Sequence, residues 1–274
     1  VATYVMSDIH GYLDRVKDLL RQVSFGDGDE LFVLGDVIDR GPQSAEAIVW
    51  AVEEAPRNIH FLMGNHEDMM LAVLKKDVWA FTKQQNSDWG WYEPWGWNGG
   101  EETMQQLCDI TTADWRTNVL IPWLSELPFK FDVTCGDSRF MMVHAGLAQG
   151  LRRDDDIYEQ GINKLVNIPE YGKVNAQLLL WVRSRWLDDE TFDVPYDVIF
   201  GHTPTFYWVD MLRCDQKAGW FNPNIEIEGE PNKISKLIFP NGRKKICIDT
   251  GRSCLGMLRL DDMKEFYSEV DCNG

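Results

Sequence analysis

Basic residues, histidines and paired cysteines are scarce in this chain, and each scarcity narrows what it can do. Lys and Arg number 27 against 44 Asp and Glu, a formal charge of −17 over 274 residues. Such a surface repels nucleic-acid backbones, which bind clustered Lys and Arg, so no nucleic-acid partner is expected and a general nuclease is disfavoured. No run approaches the ~20 apolar residues that cross a bilayer, so no membrane partner is expected either. The cysteines, Cys108, Cys135, Cys214, Cys247, Cys254 and Cys272, include no Cys-x-x-Cys pair, which argues against a zinc knuckle. A chain this long does not depend on disulfide staples, and scattered reduced thiols are expected. The opening Val1-Ala2-Thr3-Tyr4-Val5 reads as a strand with no charged and apolar leader ahead of it, so the expected location is cytoplasmic. Hydrophobic residues nonetheless make up 44%, enough for a large core in one domain over residues 1–274.

Apolar spacing gives the first half an alternating rhythm. Thr3–Met6, Leu31–Leu34 and Asn58–Met63 read as short strands. Between and after them, Leu13–Val23, Ala45–Val52 and His66–Leu74 repeat at helical spacing. Strand, helix, strand, helix in this order implies a parallel sheet with helices on its faces, and ligands of such sheets sit beyond the carboxyl ends of the strands.

From Trp79 to Trp123 the pattern changes, with seven of the twelve tryptophans in this stretch. We read a helical cap inserted over about 77–126, with helices over Glu101–Leu107 and Ala113–Leu124. The tryptophans either fill the cap's own core or, for one or two of them, line a substrate groove. The second half is richer in strands: a hairpin Phe129–Thr134 and Arg139–Val143, then Val198–Phe200, Phe206–Leu212, Lys245–Ile248 and Met257–Leu260. A polar stretch over about 213–243, punctuated by Gly, Pro and Asn, reads as a surface excursion.

The chemistry lies in five short blocks: Ser7-Asp8-Ile9-His10-Gly11, Gly35–Gly41, Gly64–Asp68, Val143–Gly146 and Phe200–Thr203. Four of the five histidines sit in them, and His60, outside them, is assigned to structure. Taken singly, Asp8 or Asp36 could cap a helix and Asn65 could serve a turn. Independent caps, however, need not place His or Asn in every block. Asp8, His10, Asp36, Asn65, His144 and His202 together offer carboxylate, amide and imidazole donors, the set that hard and borderline divalent metals prefer. One arrangement has two metals sharing Asp36, with Asp8 and His10 on one side and Asn65, His144 and His202 on the other. Mn²⁺ is the first choice, with Fe and Zn²⁺ as alternatives that accept the same ligands.

These blocks resemble the phosphoprotein phosphatase branch of the calcineurin-like metallophosphoesterases, in particular the bacterial and bacteriophage lambda-type serine/threonine protein phosphatases. Gly35–Gly41 and Gly64–Glu67 match the branch pattern in full, Ile248-Asp249-Thr250-Gly251 also fits, and the likeness runs from Asp8 to about Gly256. The resemblance implies a four-layer αββα sandwich, on the boundary between α/β and α+β, carrying the Trp-rich cap. It implies a bridging hydroxide that attacks phosphorus directly, with His66 as general acid and Asp39 orienting His66. It also implies that Arg40 and one arginine of Trp181-Val182-Arg183-Ser184-Arg185 hold the phosphate oxygens; Arg183 is favoured over Arg185. Two residues depart from the pattern. Ser7 replaces the usual glycine, with little effect expected, and Met63 replaces an arginine common before Gly-Asn-His-Glu.

The leading expectation is a phosphomonoesterase acting on phosphoserine or phosphothreonine, and on phosphotyrosine as an extension, with a phosphorylated protein or peptide as partner. The alternative is a symmetrical dinucleoside-tetraphosphate hydrolase of the same branch. Asp39 and Glu67, which enzymes specialised for that reaction often lack, shift weight to protein substrates. A non-catalytic scaffold would have lost ligands or the acid, and none is lost. The run Asp154-Asp155-Asp156 reads as a solvated loop, or as a cleft-facing patch that favours basic phosphopeptides.

Overall fold

The structure, a computed structural model, describes residues 1–76, 93–148, 161, 162 and 164–269. In chain order the strands are β1 Thr3–Met6, β2 Glu30–Val33, β3 Ile59–Phe61, β4 Lys130–Cys135, β5 Ser138–Val143, β6 Leu165–Ile168 and β7 Gly172–Asn175. They continue with β8 Asp197–Phe200, β9 Glu226–Glu228, β10 Ser235–Ile238, β11 Lys244–Cys247, β12 Gly256–Arg259 and β13 Lys264–Tyr267. Among the described residues they build a five-stranded sheet ordered β13-β12-β1-β2-β3, a six-stranded sheet ordered β4-β5-β8-β11-β10-β9, and the hairpin β6-β7. Both large sheets are mixed. β1, β2 and β3 run parallel, as do β5, β8 and β11, while the outer strands pair antiparallel.

Strand alternation sorts the core into two layers. In β1, Val5 points between the sheets and meets Leu34, Leu62, Phe140, Met142, Ile199, Ile246 and Leu258. Its neighbours Tyr4 and Met6 point the other way, into the larger cluster that includes Leu13, Val16 and Leu19 of the helix Leu13–Gln22. Sheet packs on sheet inside, and helices cover outside, which is the expected sandwich.

One element differs in kind. Phe206–Leu212, expected as a strand, lies in the helix Thr205–Ala218. Its β-branched and aromatic residues mimic a strand locally, but Trp208, Val209 and Leu212 bury one helical stripe. Pro204 precedes the first turn and Gly219, at φ 80°, closes the last in the left-handed conformation. Within the stretch about 213–243, Ser235, Lys236 and Leu237 of β10 are buried in the six-stranded sheet. Of the Trp-rich stretch, residues 77–92 lie outside the described residues, as does Asp154–Asp156. Helices follow over Glu101–Ile110, Ala113–Trp115 and Ile121–Glu126. Among the described residues no helix is long and apolar enough to cross a membrane.

The buried Lys245 ties β11 to the segment that carries Arg183. Its Nζ donates to the carbonyls of Trp186 and Asp189, each at 2.7 Å, among the rings of Trp186, Phe192 and Phe239. Burial pulls its pKa from 10.5 down to about 7, against the charges of Asp189 and Asp188. The unfolded chain then binds the extra proton between these values, so this group adds stability as pH rises from about 7 towards 10.5. Lys245→Met should flatten that part of the pH–stability curve, measured by urea unfolding at about pH 7 and about pH 9. Equal slopes in both proteins would refute the assignment.

Candidate metal centre

The candidate residues converge because each follows the carboxyl end of a strand. Asp8 and His10 follow β1, Asp36 follows β2, Asn65 follows β3, His144 follows β5 and His202 follows β8. The backbone there is forced. Nine non-glycine residues among those described have positive φ, and Asp8, His10, Asp36, Asp39, Arg40 and His202 are six of them. Such conformations cost about 1–3 kcal/mol each and persist where surrounding structure holds them for a purpose. Close approach is also required. A Cβ on Gly64 would collide with the Asp36 backbone nitrogen and carboxylate, and one on Gly201 with the Asp8 carboxylate and the Ser7 hydroxyl.

Two sets of donor atoms lie within 4.8 Å of one another: His10, Asp36 and His66, and Asp36, His144 and His202. Asp36 belongs to both, and in the first set His66 stands where the sequence reading put Asp8. Its Oδ2 lies 3.7 Å from His10 Nε2 and 3.8 Å from His66 Nε2, and its Oδ1 lies 3.4 Å from His144 Nε2. Asp8 Oδ1 is 3.9 Å from His10 Nε2, and the Asp8 carboxylate accepts the His202 backbone N–H. Asn65 Oδ1 stands 2.8 Å from His144 Nε2 and 2.9 Å from His202 Nδ1. Backbone carbonyls orient two rings: Leu34 O lies 2.7 Å from His144 Nδ1, and Ile38 O lies 2.9 Å from His10 Nδ1. The second set thus joins Asn65, His144 and His202 around Asp36.

Electrostatics suit cations. Burial, then charges nearby that include Arg40 or Arg183, holds the pKa of His10, His66 and His202 well below the usual imidazole range. Burial lowers His144 as well. These shifts favour the neutral ring, the form that ligates metal. Burial and the charge of Asp8 push the Asp36 carboxyl well up. The Nε2 atoms of His66 and His202 are buried without a hydrogen-bond partner. Clustered carboxylates, neutral imidazoles and orphaned ring nitrogens are what two divalent cations would satisfy, so the donor set fits them.

Beside this cluster, His66 Nδ1 lies 2.5 Å from Asp39 Oδ2, and both side chains are fully buried. Trp95 Nε1 donates to the same oxygen at 2.8 Å, and Thr103 Oγ1 donates to Asp39 Oδ1 at 2.5 Å. Burial raises Asp39 to about 7, opposed by these donors. Arg40 is exposed and its Nη1 stands 2.6 Å from His10 Nε2. Arg183 is exposed too, and its charge is felt by His66, His144 and His202, whereas Arg185 does not figure among those influences.

Sequence reading missed the supports. Trp95 and Thr103 fix Asp39 from the helical insertion, and only their nearness to a Trp-Asn-Gly-Gly stretch marked them. Ser7 is not silent, since its hydroxyl donates to Asp8 Oδ2 at 2.5 Å. Met63 is fully buried in the core. Glu67 is the main omission. Its Oε2 accepts the N–H of Asp36 at 2.8 Å and of Gly64 at 3.1 Å, and its Oε1 those of Val37 at 2.9 Å and Ile38 at 3.4 Å. It locks two loops together, while burial and Asp36 push its pKa to about 8. Glu67→Gln turns one acceptor oxygen into an amide NH2 that faces N–H groups. We expect about 1–3 kcal/mol lost in urea unfolding at about pH 9, above the raised pKa, the cost of leaving buried N–H groups without an acceptor. A loss below about 0.5 kcal/mol would rule the clamp out.

A family model described as calcineurin-like phosphoesterase matches residues 2–237. Among curated relatives, a protein of Chromobacterium violaceum is 29% identical over 196 residues, covering 69% of this chain and 59% of its own length. One of Yersinia pseudotuberculosis serotype O:3 is 30% identical over 255 residues, covering 91% of this chain and 69% of its own. Both carry the name bis(5'-nucleosyl)-tetraphosphatase, symmetrical, and not that of a lambda-type protein phosphatase. The chain spans less than two thirds of the length of the first such relatives, 59% for the Chromobacterium protein. A crystal structure presented as a candidate diadenosine tetraphosphatase superposes with a TM-score of 0.51 at 18% identity, over 99% of this chain and 94% of that one, and so shares the fold.

Proposed function

Because this chain belongs to the calcineurin-like phosphoesterase family, we propose that it is a metal-dependent phosphoric-ester hydrolase whose first substrates are symmetrical dinucleoside tetraphosphates. The observation that carries the substrate is the 30% identity across 91% of the chain to a relative named for that reaction. Asp8, His10, Asp36, Asn65, His144 and His202 would hold two divalent cations. When bound, such cations supply Lewis acidity and an activated water. The chain's own groups do the rest. Arg40 and Arg183 clamp the non-bridging phosphate oxygens, for which planar guanidinium forks are suited. Water, giving up one proton to solvent, attacks phosphorus, the bond to the leaving oxygen breaks, and His66 Nε2–H gives that oxygen its proton. Asp39, held by Trp95 and Thr103 and raised to about 7, shares its proton with His66 Nδ1, so the neutral ring carries its own proton on Nε2 and stays aimed.

A second reading has its own observation. A leaving nucleoside diphosphate is a weak base and needs little acid help, whereas a serine or threonine alkoxide needs a proton in the transition state. The buried His66–Asp39 pair therefore has more purpose in a phosphomonoesterase acting on phosphoserine or phosphothreonine. Glu67 is present as well, as that reading expects. Mn²⁺-loaded protein assayed side by side on diadenosine tetraphosphate and a phosphothreonine peptide separates the two. A higher kcat/KM on the dinucleotide, with ADP as product, upholds the first reading. A higher value on the peptide overturns it in favour of the second.

A further inference from the structure

Two exposed aromatic groups lie on segments that adjoin the histidine–carboxylate cluster, one beside the Arg40 loop and one at the start of the helix after His202, and the reaction leaves them unused. Trp97 is 80% exposed. Two residues on, Gly99 at φ 104° lies so close to the Arg40 backbone that a Cβ there would stand 2.7 Å from Arg40 N. Trp95 and Thr103, on either side, are anchored to Asp39. Trp97 thus sits two residues from the turn that packs on the Arg40 backbone. Phe206 and Tyr207 open the helix that follows His202, their ring centroids 4.1 Å apart. Phe206 faces Gly251, two residues beyond the buried Asp249, and Tyr207 is 64% exposed. An exposed aromatic ring beside a site offers a face on which a planar ligand group stacks.

We propose that Trp97 and Tyr207, the latter backed by Phe206, are stacking platforms for the two bases of a dinucleoside polyphosphate. This rests on the first reading above. Symmetrical cleavage puts the scissile linkage at the centre, so each base extends away from the metals by the same two phosphates. One then reaches past Arg40 and the other past His202, where the rings stand. A planar face accepts any base, so the platforms recognise nucleotides as a class rather than adenine alone.

The test compares ADP with inorganic pyrophosphate, the same phosphates without the base, by calorimetric binding to Mn²⁺-loaded protein. Trp97→Ala combined with Tyr207→Ala should weaken ADP roughly 5- to 150-fold, the range for loss of one base-stacking contact, and leave pyrophosphate unchanged. Either single variant leaves ADP the other platform and keeps part of the affinity. Trp97→Phe combined with Tyr207→Phe keeps both rings and should restore most of the ADP affinity, which a folding defect would not allow. An unchanged ADP-to-pyrophosphate ratio in the double alanine variant overturns the paired arrangement. Diadenosine tetraphosphate turnover by the wild-type protein, run alongside, tests the parent reading separately. Turnover with unaltered ratios sinks the platforms alone. Absence of turnover, with ADP binding no tighter than pyrophosphate, sinks both.

Discussion

His66→Asn slows hydrolysis of a phosphothreonine peptide by about 10²–10⁴-fold, the usual worth of a positioned general acid, and slows p-nitrophenyl phosphate far less. The difference follows from the leaving group. Nitrophenolate departs without a proton, a threonine alkoxide does not, and a nucleoside diphosphate falls between them. The three substrates should therefore lose rate in that order of basicity. The geometry behind this expectation is specific. His66 presents an unpartnered Nε2 towards Asp36, while Nδ1 is engaged by a buried carboxylate that Trp95 and Thr103 hold from the insertion. Asp39→Asn should reproduce the same ranking more weakly, since it leaves the imidazole present but poorly oriented. Equal losses on all three substrates in His66→Asn would sink the acid assignment and return His66 to the ligand set, which its place beside His10 and Asp36 allows.

Much of this centre was readable because its chemistry is local. Glycine beside Asp, Asn or His after an apolar strand marks a tight turn, and the five blocks that carry the candidate ligands lie at the carboxyl ends of their strands. Strands β1 to β3 and the helices between them follow from spacing alone, since period and length agree there. Where composition and period conflict, spacing fails: Phe206–Leu212 has the residues of a strand and the stripe of a helix. The supports were hidden for another reason. Glu67 acts on backbone N–H groups some thirty residues away in sequence, and Trp95 and Thr103 act on Asp39 from 56 and 64 residues away. No local pattern encodes a partner at that separation. Spacing after Trp181 favours Arg183 over Arg185, and Arg183 stands at the break between two short helices.

Asp36→Asn should abolish turnover and lower the metal content, because this side chain alone belongs to both donor sets. A carboxylate that would serve two cations cannot be replaced by an amide. The amide keeps one oxygen and the shape, but loses the charge that offsets a pair of divalent ions. Losing several kcal/mol of charge stabilisation in the transition state corresponds to a rate loss of about 10³-fold or more. Stability should move the opposite way in the metal-stripped protein. Asp8 and Asp36 are buried beside one another, and without cations their charges repel. Removing one relieves that repulsion, so metal-stripped Asp36→Asn should melt no lower than metal-stripped wild type. Adding Mn²⁺ should then raise Tm in the wild type, since a ligand that binds only the folded state stabilises it, and raise it little in the variant. This pairing separates a lost ligand from a damaged fold, since damage would lower Tm in both conditions. Elemental analysis that finds the wild-type metal stoichiometry in Asp36→Asn would refute the bridging role outright.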